Sequence, residues 1–286
     1  MTANVELLSW ARAWGAGVVP FGETTWMDTP SRVDLRRKLE QAASFAHLLV
    51  VSGPVGVGKS QNLGRWLWAL DERLFAPVAL TQASLSGCGL LSALVQRLGR
   101  EPSFRREGNL ERLSSALAQL ERRRLVVVLD DAQLYSYGAL EELRLLLGLN
   151  LPTEPTFALI LVGDDHLLDS LRLRHHRALF SRVAGHVRLE PWSLVEAQSY
   201  LDACWKASGM RPQALVPAAA ELLVKASGGV PRSLQLLARA AWLEAAQAGK
   251  TVLSPEDVER ALAQVPYLPG RERSPGNGTV EGGSLS

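Results

Sequence analysis

Residues 53–60, Gly-Pro-Val-Gly-Val-Gly-Lys-Ser, have the types and spacing of a loop that wraps phosphate. Gly53, Gly56 and Gly58 let backbone N–H groups converge on one anion, and Pro54, Val55 and Val57 complete the loop. Lys59 is placed to reach β- and γ-phosphates, the Ser60 hydroxyl to ligate Mg²⁺, and Gln61 to open the helix that receives the anion. A second constellation is Leu125-Val-Val-Val-Leu-Asp-Asp131, an apolar run closed by two carboxylates. Asp130, at the strand's C-terminal edge, can hold Mg²⁺ through water, and Asp131 points differently and can take a proton from an attacking water. The pair of motifs predicts a nucleotide with Mg²⁺ as the ligand and phosphoanhydride hydrolysis as the chemistry.

These residues need strands to carry them and helices to cover the strands. The phosphate loop follows the buried-strand run His47–Ser52 and precedes a helical stretch, Gln61–Leu70. Further strands are expected at Ala76–Thr81, Leu125–Leu129, Phe157–Val162 and Val187–Leu189. Their apolar runs do not alternate, which suits a parallel sheet buried on both faces. Helices are expected from Ser31, with Val33, Leu35, Leu39 and Ala42 as its apolar face, and at Gly89–Leu98, Leu110–Glu121, Tyr137–Leu147 and Leu167–Arg172. From Ser193 only helical patterns follow: Ser193–Ser208, Pro217–Ser227, Pro231–Gln247 and Ser254–Gln264. The expected organisation is therefore an irregular N-terminal segment (1–30), an α/β nucleotide-binding domain (31–191), an all-helical domain (192–265) and a disordered tail (266–286) rich in Gly, Pro and Ser.

The chain has 286 residues, 47% hydrophobic and 21% charged, with a formal net charge of +2. That composition fits a soluble globular protein with proper cores and excludes a membrane-spanning one. Residues 1–6 lack the basic start and apolar stretch of a secretion signal, so a cytoplasmic location is expected. Cys88 and Cys204 have no metal-ligand spacing and read as buried free thiols. Most of the eight tryptophans read as core or interface anchors.

The chain resembles the AAA+ ATPases over roughly residues 18–265. Within them it is most similar to the branch of ExeA-type ATPases and the ATPase regulators of DNA transposition (TnsC, TniB and MuB types). The residues that carry this are the phosphate loop, Leu-Asp-Asp-Ala-Gln133, Ala-Leu-Glu-Glu-Leu-Arg144, Leu-Val-Gly163 and Ser-Gly-Gly-Val-Pro-Arg232. The resemblance implies an AAA+ P-loop domain with a central parallel sheet and a small C-terminal helical lid. It implies a sensor position at Asp164, where Asp is unusual. It implies an arginine finger at Arg182, in Leu-Phe-Ser-Arg-Val183, with Arg177 as runner-up, that reaches the nucleotide of a neighbouring copy. Arg232, in the lid, is implied to sense the γ-phosphate in cis. The family commonly has Asp-Glu where this chain has Asp130-Asp131, and the shorter carboxylate predicts slow turnover.

The expected role is an ATP-dependent regulator of DNA transposition that forms a ring or filament on double-stranded DNA and recruits a transposase, aided by a target-selection adaptor. The alternative is an ExeA-like secretion or assembly ATPase that does not bind DNA. Basic clusters at Arg97–Arg106, Arg122–Arg124 and Arg172–Arg177 are candidates for backbone contacts, as is the loop Gln82–Gly89. A metabolic P-loop kinase lacks support in any substrate-pocket signature. An origin-recognition-type loader is expected to carry a winged helix where this chain has its tail.

Overall fold

The computed structural model describes residues 2–21, 25–81, 86–148 and 156–265. The elements in chain order are α1 (Thr2–Ala13), α2 (Pro30–Phe45), β1 (Leu48–Ser52), α3 (Lys59–Ala69), β2 (Phe75–Leu80), α4 (Gly87–Arg97), α5 (Arg106–Gln119), β3 (Arg124–Leu129) and α6 (Tyr137–Leu147). They continue with β4 (Ala158–Val162), α7 (Leu167–Arg172), α8 (Arg177–Phe180), β5 (Val183–Arg188), α9 (Leu194–Ala207), α10 (Pro217–Ala226), α11 (Pro231–Gln247) and α12 (Pro255–Gln264). The chain divides into two compact units, Asp28–Glu190 and Met1–Met27 together with the chain from Pro191 onward. Among the described residues no helix is long and apolar enough to cross a membrane. The expected tail (266–286), the turn Leu151–Pro155 and the first part of the loop, Gln82–Leu85, lie outside the described residues.

In the first unit five parallel strands run in the order β2-β3-β4-β1-β5. Alternate residues of β1 serve opposite faces. Leu48 and Val50 join β3 and β4 residues beneath α4, α5 and α6, while Leu49 and Val51 face Leu35, Leu39, Leu63 and Trp66 of α2 and α3. Two buried faces explain why the central strands are apolar without alternation. The topology also fixes the site. β1 has β4 on one side and β5 on the other, so the chain leaves β1 at the switch point, where open α/β sheets bind ligands beyond their strand ends.

In the second unit α1 packs with α9–α12. Trp14 is fully buried, with its ring 6.2 Å from that of Trp205, and Phe21 lies 6.1 Å from the same ring. The Arg211 guanidinium donates to the Ala13 carbonyl at 3.1 Å, satisfying an end of α1 that the helix itself cannot. Capping boxes at Ser193/Glu196 and Ser254/Asp257 set the starts of α9 and α12.

Four expectations are corrected. Residues 1–30 are not simply irregular, because Thr2–Ala13 forms a helix and the aromatic residues after it fill the core of the helical unit. The last strand spans Val183–Arg188 rather than beginning at Val187; it is a half-exposed edge, so its early residues carry no apolar run. Val33 is exposed and Arg32 is buried in its place on the inner face of α2. Cys88 is exposed at the start of α4, and of the two free thiols only Cys204 is buried, where burial pushes its pKa up.

Candidate functional site

The phosphate loop departs from β1 and returns as α3, and glycine is required where it turns. Gly53, Gly56 and Gly58 have φ of +145°, +89° and +96°, all in the left-handed half of the map. At Gly53 the demand is steric as well, since a Cβ there would lie 2.3 Å from the Leu189 carbonyl oxygen. Beside it, Leu189 N–H donates to Ser52 O at 2.8 Å, which fastens the end of β1, just before the loop, to the residue after β5. A second fastening joins the same strands, Ser52 Oγ to His186 Nε2 at 2.8 Å; burial, then the cations Arg172, Lys38 and Arg188, hold that imidazole's pKa down.

Lys59 opens α3, and its Nζ donates to the carbonyls of Gly53 and Pro54 at 2.6 and 3.0 Å. Burial lowers its pKa, opposed by the carboxylates of Asp130, Asp164, Asp165 and Asp131. The carboxylates that follow β3 and β4 are thus near enough for their charge to act on Lys59. Ser60, exposed in the first turn of α3, and Gln61 leave their N–H groups at the helix N-terminus, free of intrahelical partners as all such groups are.

Asp130 continues β3, its N–H bonded to Leu80 O at 3.1 Å, and is half-buried; Asp131 is exposed and left-handed at φ +50°. The Asp131 backbone N–H donates to Asp130 Oδ1 at 3.0 Å. Nearby, Tyr135 donates to Leu80 O at 3.2 Å, and burial followed by the charges of Asp130 and Asp131 pushes its pKa up to about 12. Asp164 and Asp165 follow β4, and Asp165 is held by Arg188 at 2.9 Å.

The residues present fit a magnesium nucleotide. Gly58, with no side chain, keeps the loop's end open, and one Ser hydroxyl with one carboxylate matches the preference of Mg²⁺ for few protein oxygens plus phosphate. Among the described residues no group of three His, Cys, Asp or Glu is gathered as a metal cage, so any metal here would rely on the nucleotide's oxygens.

The remaining sequence candidates stand on other elements. Arg182 is exposed and donates to the Arg144 carbonyl at 2.8 Å, in the last turn of α6, where the helix dipole favours a cation. Arg177 is exposed at the first position of α8. Arg232 is exposed in the first turn of α11, in the helical unit. Its helix start is fixed by Gly229, whose backbone meets Trp192 so closely that a Cβ would lie 2.1 Å from the Trp192 carbonyl oxygen. Of the basic cluster, Arg106 is committed to the buried Glu142 by two bonds of 3.1 and 2.9 Å, leaving Arg97 and Arg105 exposed. Two residues near the site escaped the sequence reading. Arg32, 3% exposed, has its Nη2 3.3 Å from where a Gly58 Cβ would sit. Gln133 joins the turn after β3 to the end of β4; its signal was a lone amide following the two carboxylates.

Residues 43–171 match the family described as an AAA domain. The fold is that of the AAA+ ATPases. General secretion pathway protein A of Aeromonas hydrophila is 29% identical over 143 residues; the match spans 50% of this chain and only 26% of that relative. The ORC2 protein of Aeropyrum pernix, solved as ADPNP–ADP complexes, superposes with a TM-score of 0.65 at 18% identity, over 88% of this chain and 71% of that one. The ORC1 protein of the same organism, solved in complex with DNA, gives 0.64 at 18% identity, over 83% and 66%. At such identity the likeness to solved structures is one of fold.

Proposed function

We propose that this AAA+ protein is an ATP-dependent switch that assembles on double-stranded DNA and there recruits or activates a transposase, with slow hydrolysis resetting it. The observation that supports the chemistry is the placing of Lys59 and Ser60 at the start of α3, beyond β1 at the switch point of the sheet, with Asp130 and Asp131 at the C-terminal end of β3. Mg²⁺, held by Ser60 and Asp130, would neutralise charge on the β- and γ-phosphate oxygens. The loop N–H groups and Lys59 hold the phosphates. Asp131 accepts the proton of the attacking water as the bond from the γ-phosphorus to the bridging oxygen breaks. Arg182, held on the α6 carbonyl of Arg144, serves the nucleotide of a neighbouring copy.

The DNA part of this reading is supported by the fold shared with the ORC1 protein solved on DNA, and by the exposed Arg97 and Arg105. A second reading, an assembly ATPase of the secretion type that does not bind DNA, is favoured by the 29% identity to General secretion pathway protein A. One experiment separates them: binding of the purified protein to duplex DNA with ATP, ADP or a non-hydrolysable analogue, followed by electron microscopy. ATP-dependent binding with rings or filaments on the duplex is expected. Nucleotide binding without any DNA binding would turn the assignment to the second reading.

A further inference from the structure

Gln133 stands two residues beyond Asp131, and its carboxamide is held from both ends. Nε2 donates to Asp131 Oδ1 at 3.5 Å, and Oε1 accepts the backbone N–H of Asp164 at 3.3 Å. Both contacts are long, as bonds around a reacting site often are before the substrate draws them in. The room for the carboxamide comes from the glycine that follows β4: a Cβ on Gly163 would lie 2.5 Å from Oε1 and 2.9 Å from the Leu167 Cβ. An amide is the group that serves both ends, because it donates to a carboxylate and accepts from an N–H at once.

Asp131 needs such a holder. It is exposed, in a left-handed conformation, and its own N–H goes to Asp130. Among the described residues Gln133 is the side chain that binds its carboxylate. We infer that Gln133 is a positioning residue for hydrolysis, which fixes the Asp131 carboxylate with Oδ1 on the amide and Oδ2 toward the water, and couples that orientation to Asp164. The inference rests on the reading of Asp131 as the base. It also answers the shortness of aspartate: a base with little reach must be aimed, and a misplacement of about 1 Å can cost about a hundredfold in rate.

The test is Gln133→Glu, which keeps the shape and the acceptor for Asp164 but replaces the donor with a charge that opposes Asp131. ATP turnover and nucleotide affinity are measured together, on protein whose folding is checked by circular dichroism. The expected result is a kcat lower by about 10- to 100-fold with KM and nucleotide Kd within about twofold. Gly163→Ala, which displaces the carboxamide and presses on Leu167 as well, should lower kcat in the same way. In an Asp131→Asn background Gln133→Glu should add nothing, since residues acting as one unit are not additive. A kcat within about twofold of wild type, a loss carried by KM and Kd, or an additive effect in that background would each overturn the role of Gln133. If wild type fails to hydrolyse ATP, or Asp131→Asn hydrolyses it equally well, the parent reading falls and takes this one with it.

Discussion

Replacing Gly53 by alanine should damage the phosphate loop in a way that can be worked out beforehand. A Cβ there stands 2.3 Å from the Leu189 carbonyl oxygen, 0.7 Å short of the 3.0 Å that real contacts respect. Moving Leu189 by that amount stretches its 2.8 Å bond to Ser52 to roughly 3.5 Å, where it is lost at a cost of about 1 kcal/mol. Alanine at φ +145° adds about 1–3 kcal/mol of backbone strain. The sum of about 2–4 kcal/mol has two outlets. If the unit absorbs it in folding, its melting temperature drops by about 4–16 °C. If the loop moves instead, nucleotide affinity falls by about 30- to 1,000-fold. Differential scanning fluorimetry and titration with a fluorescent ATP analogue read both. Gly64→Ala is the control, because a Cβ there meets nothing within 4 Å and alanine in the middle of α3 should add about 1 kcal/mol of stability. Wild-type melting and affinity in Gly53→Ala would mean that the loop accepts a Cβ at this position without strain.

Three further outcomes are expected. Arg182→Ala should abolish ATP turnover while leaving nucleotide affinity unchanged, and mixing it with a hydrolysis-dead Asp131→Asn protein should restore some turnover if the finger acts between copies. Asp257, fully buried, would have its pKa raised by burial, but Lys250, Ser254 and Arg260 hold it down to about 2, so its contribution is complete above the ordinary carboxylate value of 3.8 and disappears as pH falls through 2. Asp257→Asn should therefore lose about 2 kcal/mol at pH 7, with the gap narrowing between pH 4 and pH 2 in urea melts. Trp14→Ala should cost the helical unit about 3–5 kcal/mol, seen as early proteolysis after residue 191 while residues 28–190 resist.

The sheet was legible because its central strands are buried on both faces, and a run such as Leu125–Leu129 admits no other placement. The edge strand β5 was not. Its residues Ala184, Gly185 and His186 carry no apolar pattern; Gly185 and His186 pair with Leu49 and Val50, and Ala184 sits at a shift in register. The glycines of the loop at 53–60 were legible, since a positive φ is a demand made within a few residues of chain. Gln133 and Arg32 were not, because their roles depend on Gly163 and Gly58 brought close by the fold. The helix at Thr2–Ala13 was masked by the glycines and Pro20 that follow it, and its partner, Trp205, lies far away in sequence.

The burial of Trp14 against Trp205 makes the helical unit a composite of two stretches of chain. A single cut near residue 27 should not release the first stretch, since side-chain packing, the Arg211 bonds and the Gln235 bond to Phe21 retain it. The unit then behaves as a two-piece body, and a peptide of the first 27 residues is a candidate to complement a chain that begins at Asp28. A truncation meant to trim a loose N-terminus would instead remove a wall from the opposite end of the sequence.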